Sequence, residues 1–410
     1  MIRKNLQMKS NRNFSIAMVW INGGSYEDGS GKKGLNQILC SLLSRGCEGF
    51  KNLAFSEYID SHGAELSLET LEDGMLLSLK SLDEYFHKLL PLLDLIINKP
   101  SLLNKQFLNV KESTINTLKK DKENPFNIAF EQWRKIVYLK HPYAYNSSGY
   151  EEDILKITHS DVLSEFEKFK NRNKYLISNN LLIKNKNYEF SKYNVCENKL
   201  IYKNVNHKKT DLDSNSLNRH VSTHKKSNQI IIMIGNQTCP ISSHEYLPLK
   251  ILESHLSFGM SSVLFKLFRE KNGLTYEVGV YNSERKENSP FLIYLSVSNK
   301  NALLAFKILS ELWQKLLSSS ITNKDIYLAK VKLKSSLLFS NQTLDEILQR
   351  KIKLIGYNLD PEFDCFTKIR DVNSGDILKV AKKYLAKPFL STYGDKKICN
   401  EIYKYWIKNF

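Results

Sequence analysis

Three side chains near the start of the chain first invite chemistry: Gln37, Cys40 and Ser41. Leu35, Ile38, Leu39, Leu42 and Leu43 recur at i, i+3, i+4, i+7 and i+8, the stripe of a helix with one buried face. At about 100° per residue, the amide, thiol and hydroxyl fall side by side on the opposite face. A thiol there is a nucleophile only with a partnered base within reach. No histidine is near it in sequence, so Cys40 reads as an inert thiol on a helix face. A second pair stands in the other half of the chain, where Arg269 closes a helical segment and Tyr276 opens a strand across Gly273. Taken alone, the arginine suits the negative end of a helix and the tyrosine suits strand packing, although a guanidinium can also donate to carbonyl oxygens and a tyrosine hydroxyl to an oxyanion. Other candidates are weaker. His220 and His224 have i, i+4 spacing but lie in a polar stretch and read as solvent-exposed. Lys330, Lys332 and Lys334 read as a solvated helix face. Gly23-Gly24 is a strand-end turn with no phosphate loop behind it.

The elements that must position these groups come in two similar sets. The first half has an apolar strand at Phe14–Ile21, the helix from Leu35, strands within Glu65–Leu82, and helices near Tyr85–Ile97 and from Asn104 to Lys122. The second half has a strand at Ile230–Ile234, a helix from Tyr246, a helix ending at Lys271, strands near Tyr276–Tyr281 and Phe291–Val297, and helices from Ala302 and Asn323. Ile154-x-x-Ile157-x-x-x-Asp161-Val162-Leu163 recurs 215 residues later as Ile369-x-x-Val372-x-x-x-Asp376-Ile377-Leu378. Thr158 and Asn373 stand three residues before those aspartates, the spacing of a capping box. This is a domain duplication, not a short repeat. Strands and helices mix without a βαβ alternation, so each half is expected to be α+β, a mainly antiparallel sheet with helices packed on one face. The expected domains are 1–202 and 229–410, joined by a polar, basic linker or loop at 203–228.

Length and charge agree with this division. A chain of 410 residues exceeds one ordinary domain. Its net charge is +17, with 28 basic and 24 acidic residues in 1–200 but 32 and 19 in 201–410. The six basic residues of the linker have no aromatic among them, Tyr202 lying just before it, so a stacking nucleic-acid site is not supported. No apolar run reaches the length of a membrane span, and no signal-peptide cleavage pattern is present. The first 26 residues carry Arg3, Lys4, Lys9 and Arg12 and no acid, a weak likeness to a mitochondrial transit peptide, yet a strand is due from Phe14. Six scattered cysteines without a CxxC point to free thiols in a reducing compartment, and the expected location is cytoplasmic.

Gly24-Ser25-Tyr26-Glu27-Asp28, then Gly34-Leu35 and the helix through Leu42, resemble the start of the pitrilysin/insulinase (M16) metallopeptidases. In that family the helix carries His-x-x-Glu-His. The likeness continues through His62-Gly63-Ala64-Glu65, Glu123-Asn124-Pro125, His141-Pro142-Tyr143 and Gly149-Tyr150-Glu151-Glu152-Asp153-Ile154. It is most specific at Gly259-Met260-Ser261-Ser262-Val263-Leu264-Phe265 and Phe268-Arg269-Glu270-Lys271-Asn272-Gly273-Leu274-Thr275-Tyr276, which resemble the family's C-domain signature.

The resemblance implies a LuxS/MPP-like metallohydrolase fold and a degenerate metal site. It places Gln37 and Ser41 at the two zinc histidines, Cys40 at the glutamate general base, and Thr117 at the third ligand. Zinc takes thiolate, imidazole or carboxylate donors, so this set is expected to hold no metal and activate no water. Arg269 and Tyr276 match the pair that binds substrate and steadies the transition state in the family. The expected protein is therefore a catalytically silent subunit with no cofactor of its own. Its partner would be an M16 chain bearing His-x-x-Glu-His and the zinc, and its ligand a peptide substrate. Neither nucleic acid nor a membrane span is expected. A non-enzymatic structural or peptide-binding protein of the same fold is the alternative.

Overall fold

The computed structural model describes residues 13–51, 53–180, 193–195, 218–362 and 365–410. In chain order the first part holds β1 (Phe14–Asn22), α1 (Leu35–Leu43), β2 (Gly46–Cys47), β3 (Phe50–Lys51), α2 (Leu53–Ser61), β4 (Glu65–Thr70) and β5 (Gly74–Leu82). It continues with α3 (Asp83–Asn98), α4 (Asn104–Asp121), α5 (Pro125–Tyr138), α6 (Glu151–Lys156), α7 (His159–Lys170), β6 (Lys174–Ser178) and β7 (Asn194–Val195). The second part holds β8 (His220–His224), β9 (Gln229–Gln237), α8 (Tyr246–Ser257), a π-helix (Phe265–Lys271), β10 (Thr275–Tyr281) and β11 (Pro290–Ser298). It ends with α9 (Ala302–Ser318), α10 (Asn323–Phe339), α11 (Leu344–Gly356), α12 (Cys365–Asp371), α13 (Ser374–Leu385), β12 (Phe389–Gly394) and α14 (Lys396–Asn409).

One topology is used twice. The sheets run β4-β5-β1-β6-β7 and β10-β11-β9-β12-β8. Pairing is antiparallel throughout except for the last pair in each, β6 with β7 and β12 with β8. The two expected capping boxes are both formed. Thr158 Oγ1 accepts from the Asp161 N–H at 3.2 Å, and Asp161 Oδ2 accepts from the Thr158 N–H at 3.0 Å. Asn373 and Asp376 repeat this at 3.1 and 2.9 Å. Both halves thus start the same helix with the same local chemistry.

Strand β1 is apolar on both faces, the mark of a strand covered twice. Ala17, Val19 and Ile21 pack with α1 and α3 of their own half. Ile16, Met18 and Trp20 pack instead with Leu348 and Ile352 of α11, from the other half. The reverse also holds, because α5 lies across β8, β9 and β12. Its Ala129 and Trp133 are buried with Ile231, Met233, Leu292 and Phe389, and the Ser391 hydroxyl donates to the Ala129 carbonyl at 2.8 Å. Each sheet therefore has its own helices on one face and a helix contributed by the other half on the second. Trp20 marks how close the fit is. A Cβ on Gly74 would stand 2.3 Å from its ring, and one on Gly356, the last residue of α11, 2.2 Å from its Nε1.

Charge joins the two halves as well. Arg285, in the β10–β11 loop, is 2% exposed and donates through Nη2 to Glu72, in the β4–β5 turn, at 2.8 Å. Its guanidinium lies over the rings of Tyr143 and Tyr138, with centroids at 4.6 and 5.4 Å. Arg134 of α5 approaches the same carboxylate at 3.8 Å and donates to the carbonyls of Tyr143 and Tyr145. Beside this pair, Asp73 accepts from the Tyr143 hydroxyl at 2.6 Å, and His141 Nε2 lies 2.7 Å from Glu287.

The middle of the chain holds a strand where the sequence suggests only a polar linker or loop. His220 and His224 bound it, His224 exposed as expected and His220 half-buried, and β8 runs parallel to β12. His220 is stacked on Tyr403 at 4.2 Å and bonded to the Ser222 hydroxyl. Its neighbours look polar because β8 is an edge strand, where polar side chains are tolerated. Residues 203–217 of the expected linker, and the basic segment 1–12, lie outside the described residues. Among the described residues the free cysteines are Cys40, Cys47, Cys239 and Cys399, all buried, and no helix is long and apolar enough to cross a membrane.

Burial pushes the Glu72 carboxyl up, but Arg285 and Arg134 more than offset this and hold it below the usual glutamate value. A carboxyl depressed in the folded state contributes stability above its unfolded pKa and loses it as the pH falls through the folded value. Glu72→Gln should therefore cost on the order of 3–5 kcal/mol in urea unfolding at neutral pH. The gap to wild type should narrow as the pH is lowered below the ordinary glutamate range, and a gap constant with pH would contradict this. Gly356→Ala should cost about 1–3 kcal/mol by the same measurement, because the added methyl has only the Trp20 ring to push against.

Candidate functional site

Helix α1 begins in a tightly built corner. Gly34 has φ +99° and precedes Leu35, and a Cβ there would meet Ile154 at 2.5 Å and the Ser148 carbonyl at 2.8 Å. Gly149 presses on the other side, its Cβ position 2.2 Å from the Lys33 carbonyl. Only glycine admits both the left-handed turn and this approach. Asp28, 4% exposed, accepts from the N–H groups of Gly34 and Asn36 at 2.7 and 2.9 Å and from Asn36 Nδ2 at 2.8 Å. The carboxylate thus caps the first turn of α1, where the helix has unpaired N–H groups and a positive end. Arg172 adds a brace, donating to the Gly23 carbonyl at 2.5 Å and to Asn36 Oδ1 at 2.9 Å.

The helix so held presents little chemistry. Gln37 and Ser41 stand together, half-buried, with Gln37 Nε2 donating to Ser41 Oγ at 3.3 Å. Cys40, beside them on the helix, is covered where they are half-exposed. It is 2% exposed and turned toward Thr70 of β4. The single-stripe reading missed this because α1 packs against β4, α4 and α7 and so is covered on several sides. Burial pushes the thiol up to about 11, so it stays protonated at neutral pH and is no thiolate nucleophile. Thr117 is on α4, which packs on α1, but it is exposed and its hydroxyl is bonded to the Ser113 carbonyl at 3.0 Å. An amide, a hydroxyl and a second hydroxyl do not fit zinc. Among the described residues no three His, Cys, Asp or Glu side chains cluster as a metal site would require.

The second candidate pair is built differently. The helix expected to end at Lys271 is a π-helix over Phe265–Lys271, a wide turn of the kind found mostly where a helix is locally reshaped. Phe268 is fully buried in the core, while Arg269 is exposed with its guanidinium over the Phe265 ring at 5.0 Å. Gly273, at φ +57°, turns the chain back, and the Leu274 N–H closes on the Phe268 carbonyl at 2.8 Å. The strand register then shifts between Thr275 and Glu277, which puts the backbone of Tyr276 at a β-bulge. The Thr275 hydroxyl braces that bulge, accepting from the Glu277 N–H at 3.0 Å. The Tyr276 side chain lies outside the described residues. In the sequence alone Asp28, Gly34 and Gly149 have no evident role; their signal is an acid six residues before a glycine at a helix start.

The sequence profile of insulinase (peptidase family M16) matches residues 5–149, and that of the peptidase M16 inactive domain matches residues 166–333. An uncharacterized zinc protease of Rickettsia felis is 23% identical over 379 residues, spanning 90% of this chain and 89% of the relative. The uncharacterized zinc protease YmxG of Bacillus subtilis is 22% identical over 346 residues, spanning 83% and 82%. Among solved structures, a protease from Helicobacter pylori superposes with a TM-score of 0.81 at 19% identity, over 93% of this chain and 94% of that one. A peptidase M16 inactive domain from Pseudomonas fluorescens gives 0.79 at 18% identity, over 94% of each. The structural likeness is one of fold, and the duplicated sheets and the matched profiles agree with it. The chain belongs to the M16 (pitrilysin/insulinase) peptidase family.

Proposed function

We propose that this chain is the catalytically silent subunit of a two-chain M16 zinc peptidase. A partner chain bearing His-x-x-Glu-His supplies the zinc and the general base. This chain supplies Arg269 and Tyr276 for peptide binding and transition-state stabilisation in the partner's active site. The observation that carries the reading is a contrast within one molecule. The positions matched to the family's metal site, Gln37, Cys40 and Ser41 on α1 and Thr117 on α4, offer no ligand set and no base, while Arg269 stands exposed on a reshaped helix beside a braced bulge. A guanidinium held over an aromatic ring loses less freedom when it grips a carbonyl oxygen, which favours such a role. The excess positive charge of the second half suits peptides with acidic side chains.

Two measurements test this. Arg269→Ala, assembled with the His-x-x-Glu-His chain, should lower kcat/KM for peptide hydrolysis by about 10²-fold while the two chains still co-elute. Turnover equal to wild type would remove the proposed role and leave the structural reading. Metal analysis of the purified chain alone should give no stoichiometric zinc, and one zinc per chain surviving dialysis would overturn the silent-subunit reading.

A further inference from the structure

The outward face of α10 is apolar. Ile326, Ala329 and Leu333 turn inward and are buried, and the helix packs on α8. On the side away from them stand Tyr327, Leu328, Val331 and Leu338, with Phe339 at the helix end, and Tyr327 and Phe339 are 67% and 66% exposed. Successive residues turn by about 100°, so these side chains form one strip along the helix. Lysines border it: Lys330 and Lys334 on one side, Lys332 on the other, Lys324 at the first turn. Burial and the neighbouring Lys334 hold Lys330 below its ordinary value, and burial and Lys266 do so for Lys332. The acids facing these lysines are Asp325 beside Lys332, and Asp371 and Asp376 beside Lys330.

The duplicated fold supplies its own control. The start of α4, Asn104-Lys105-Gln106-Phe107, matches the start of α10, Asn323-Lys324-Asp325-Ile326. In this register Tyr327 corresponds to Leu108, which is also exposed, but Leu328, Val331, Leu338 and Phe339 correspond to Asn109, Glu112, Lys119 and Lys120, all exposed and polar. The fold therefore does not require an apolar strip at this place, and α10 carries one that its counterpart lacks. An exposed strip of large apolar side chains rimmed by charge is the form of an interaction site.

We propose that this face of α10 docks a different polypeptide chain that presents an acidic amphipathic helix. Apolar side chains of that helix pack on Tyr327, Val331 and Leu338, and its carboxylates meet the bordering lysines. Charge selects this occupant. A second copy of the chain would set lysines against lysines. The proposal stands on α10 alone and holds whether or not Arg269 serves a peptidase.

The test uses the full chain and a labelled synthetic helical peptide with leucines at i, i+3, i+4 and i+7 and glutamates elsewhere. Fluorescence anisotropy should show binding that weakens with salt. The same peptide with lysines for glutamates should bind at least about tenfold more weakly. The double variant Val331→Glu with Leu338→Glu, at exposed positions, should keep the wild-type circular dichroism and melting temperature and lose at least about tenfold in affinity for the acidic peptide. The proposal is overturned by equal binding of the two peptides, or by unchanged affinity in the variant. It is also overturned by concentration-dependent dimerisation, or by sedimentation with phosphatidylserine vesicles, that the variant abolishes.

Discussion

A five-stranded sheet with apolar residues on both faces cannot be finished by the helices of one half. In this chain the second face of each sheet is closed by a single helix from the other half, α11 over β1 and β6, α5 over β8, β9 and β12. Everything else is arranged around that exchange. Trp20, Met18 and Ile16 are core residues only because Leu348 and Ile352 arrive from more than 300 residues away. Gly74 and Gly356 lack side chains because the Trp20 ring fills the space between a strand and a helix end. Exchange of this kind fixes the relative placement of the halves far more firmly than contact across a flat interface, since sliding one half would uncover both sheets.

The charged seam refines the same junction. Glu72 and Asp73 sit in the turn of one sheet, Arg285 and Glu287 in the corresponding loop of the other, and Arg134, Tyr143 and His141 come from the connection that carries α5 across. A buried guanidinium tolerates few geometries, so its pairing specifies the docking as well as contributing to it. The corner that starts α1 is a separate construction. Asp28, Gly34, Gly149 and Arg172 hold the helix whether or not it carries ligands.

Much of this was legible in local sequence. The stripe of α1, the paired capping boxes and the glycine that ends the π-helix follow from spacing and from the conformations that particular residues allow, and each is present. The duplication was legible because each half ends with aliphatic residues, a capping residue and an aspartate at the same spacing. The turned-in Cys40 and the strand at His220–His224 were not, because both depend on neighbours distant in the chain. A periodic pattern reports one buried face, and it says nothing of a second neighbour that arrives from another part of the fold. The exchange of α5 and α11 was hidden for the same reason, since each helix reads as an ordinary amphipathic segment until its partner strand is known.

The exchange also has an order in time. On a ribosome the strands β1, β4, β5 and β6 are complete once Ser178 has emerged, but the face bearing Trp20 stays open until α11 follows through Gly356. At ordinary synthesis rates that interval is about ten to forty seconds. For that time the nascent chain carries an uncovered apolar sheet face, a surface that chaperones bind and that a stalled or truncated product would keep for good.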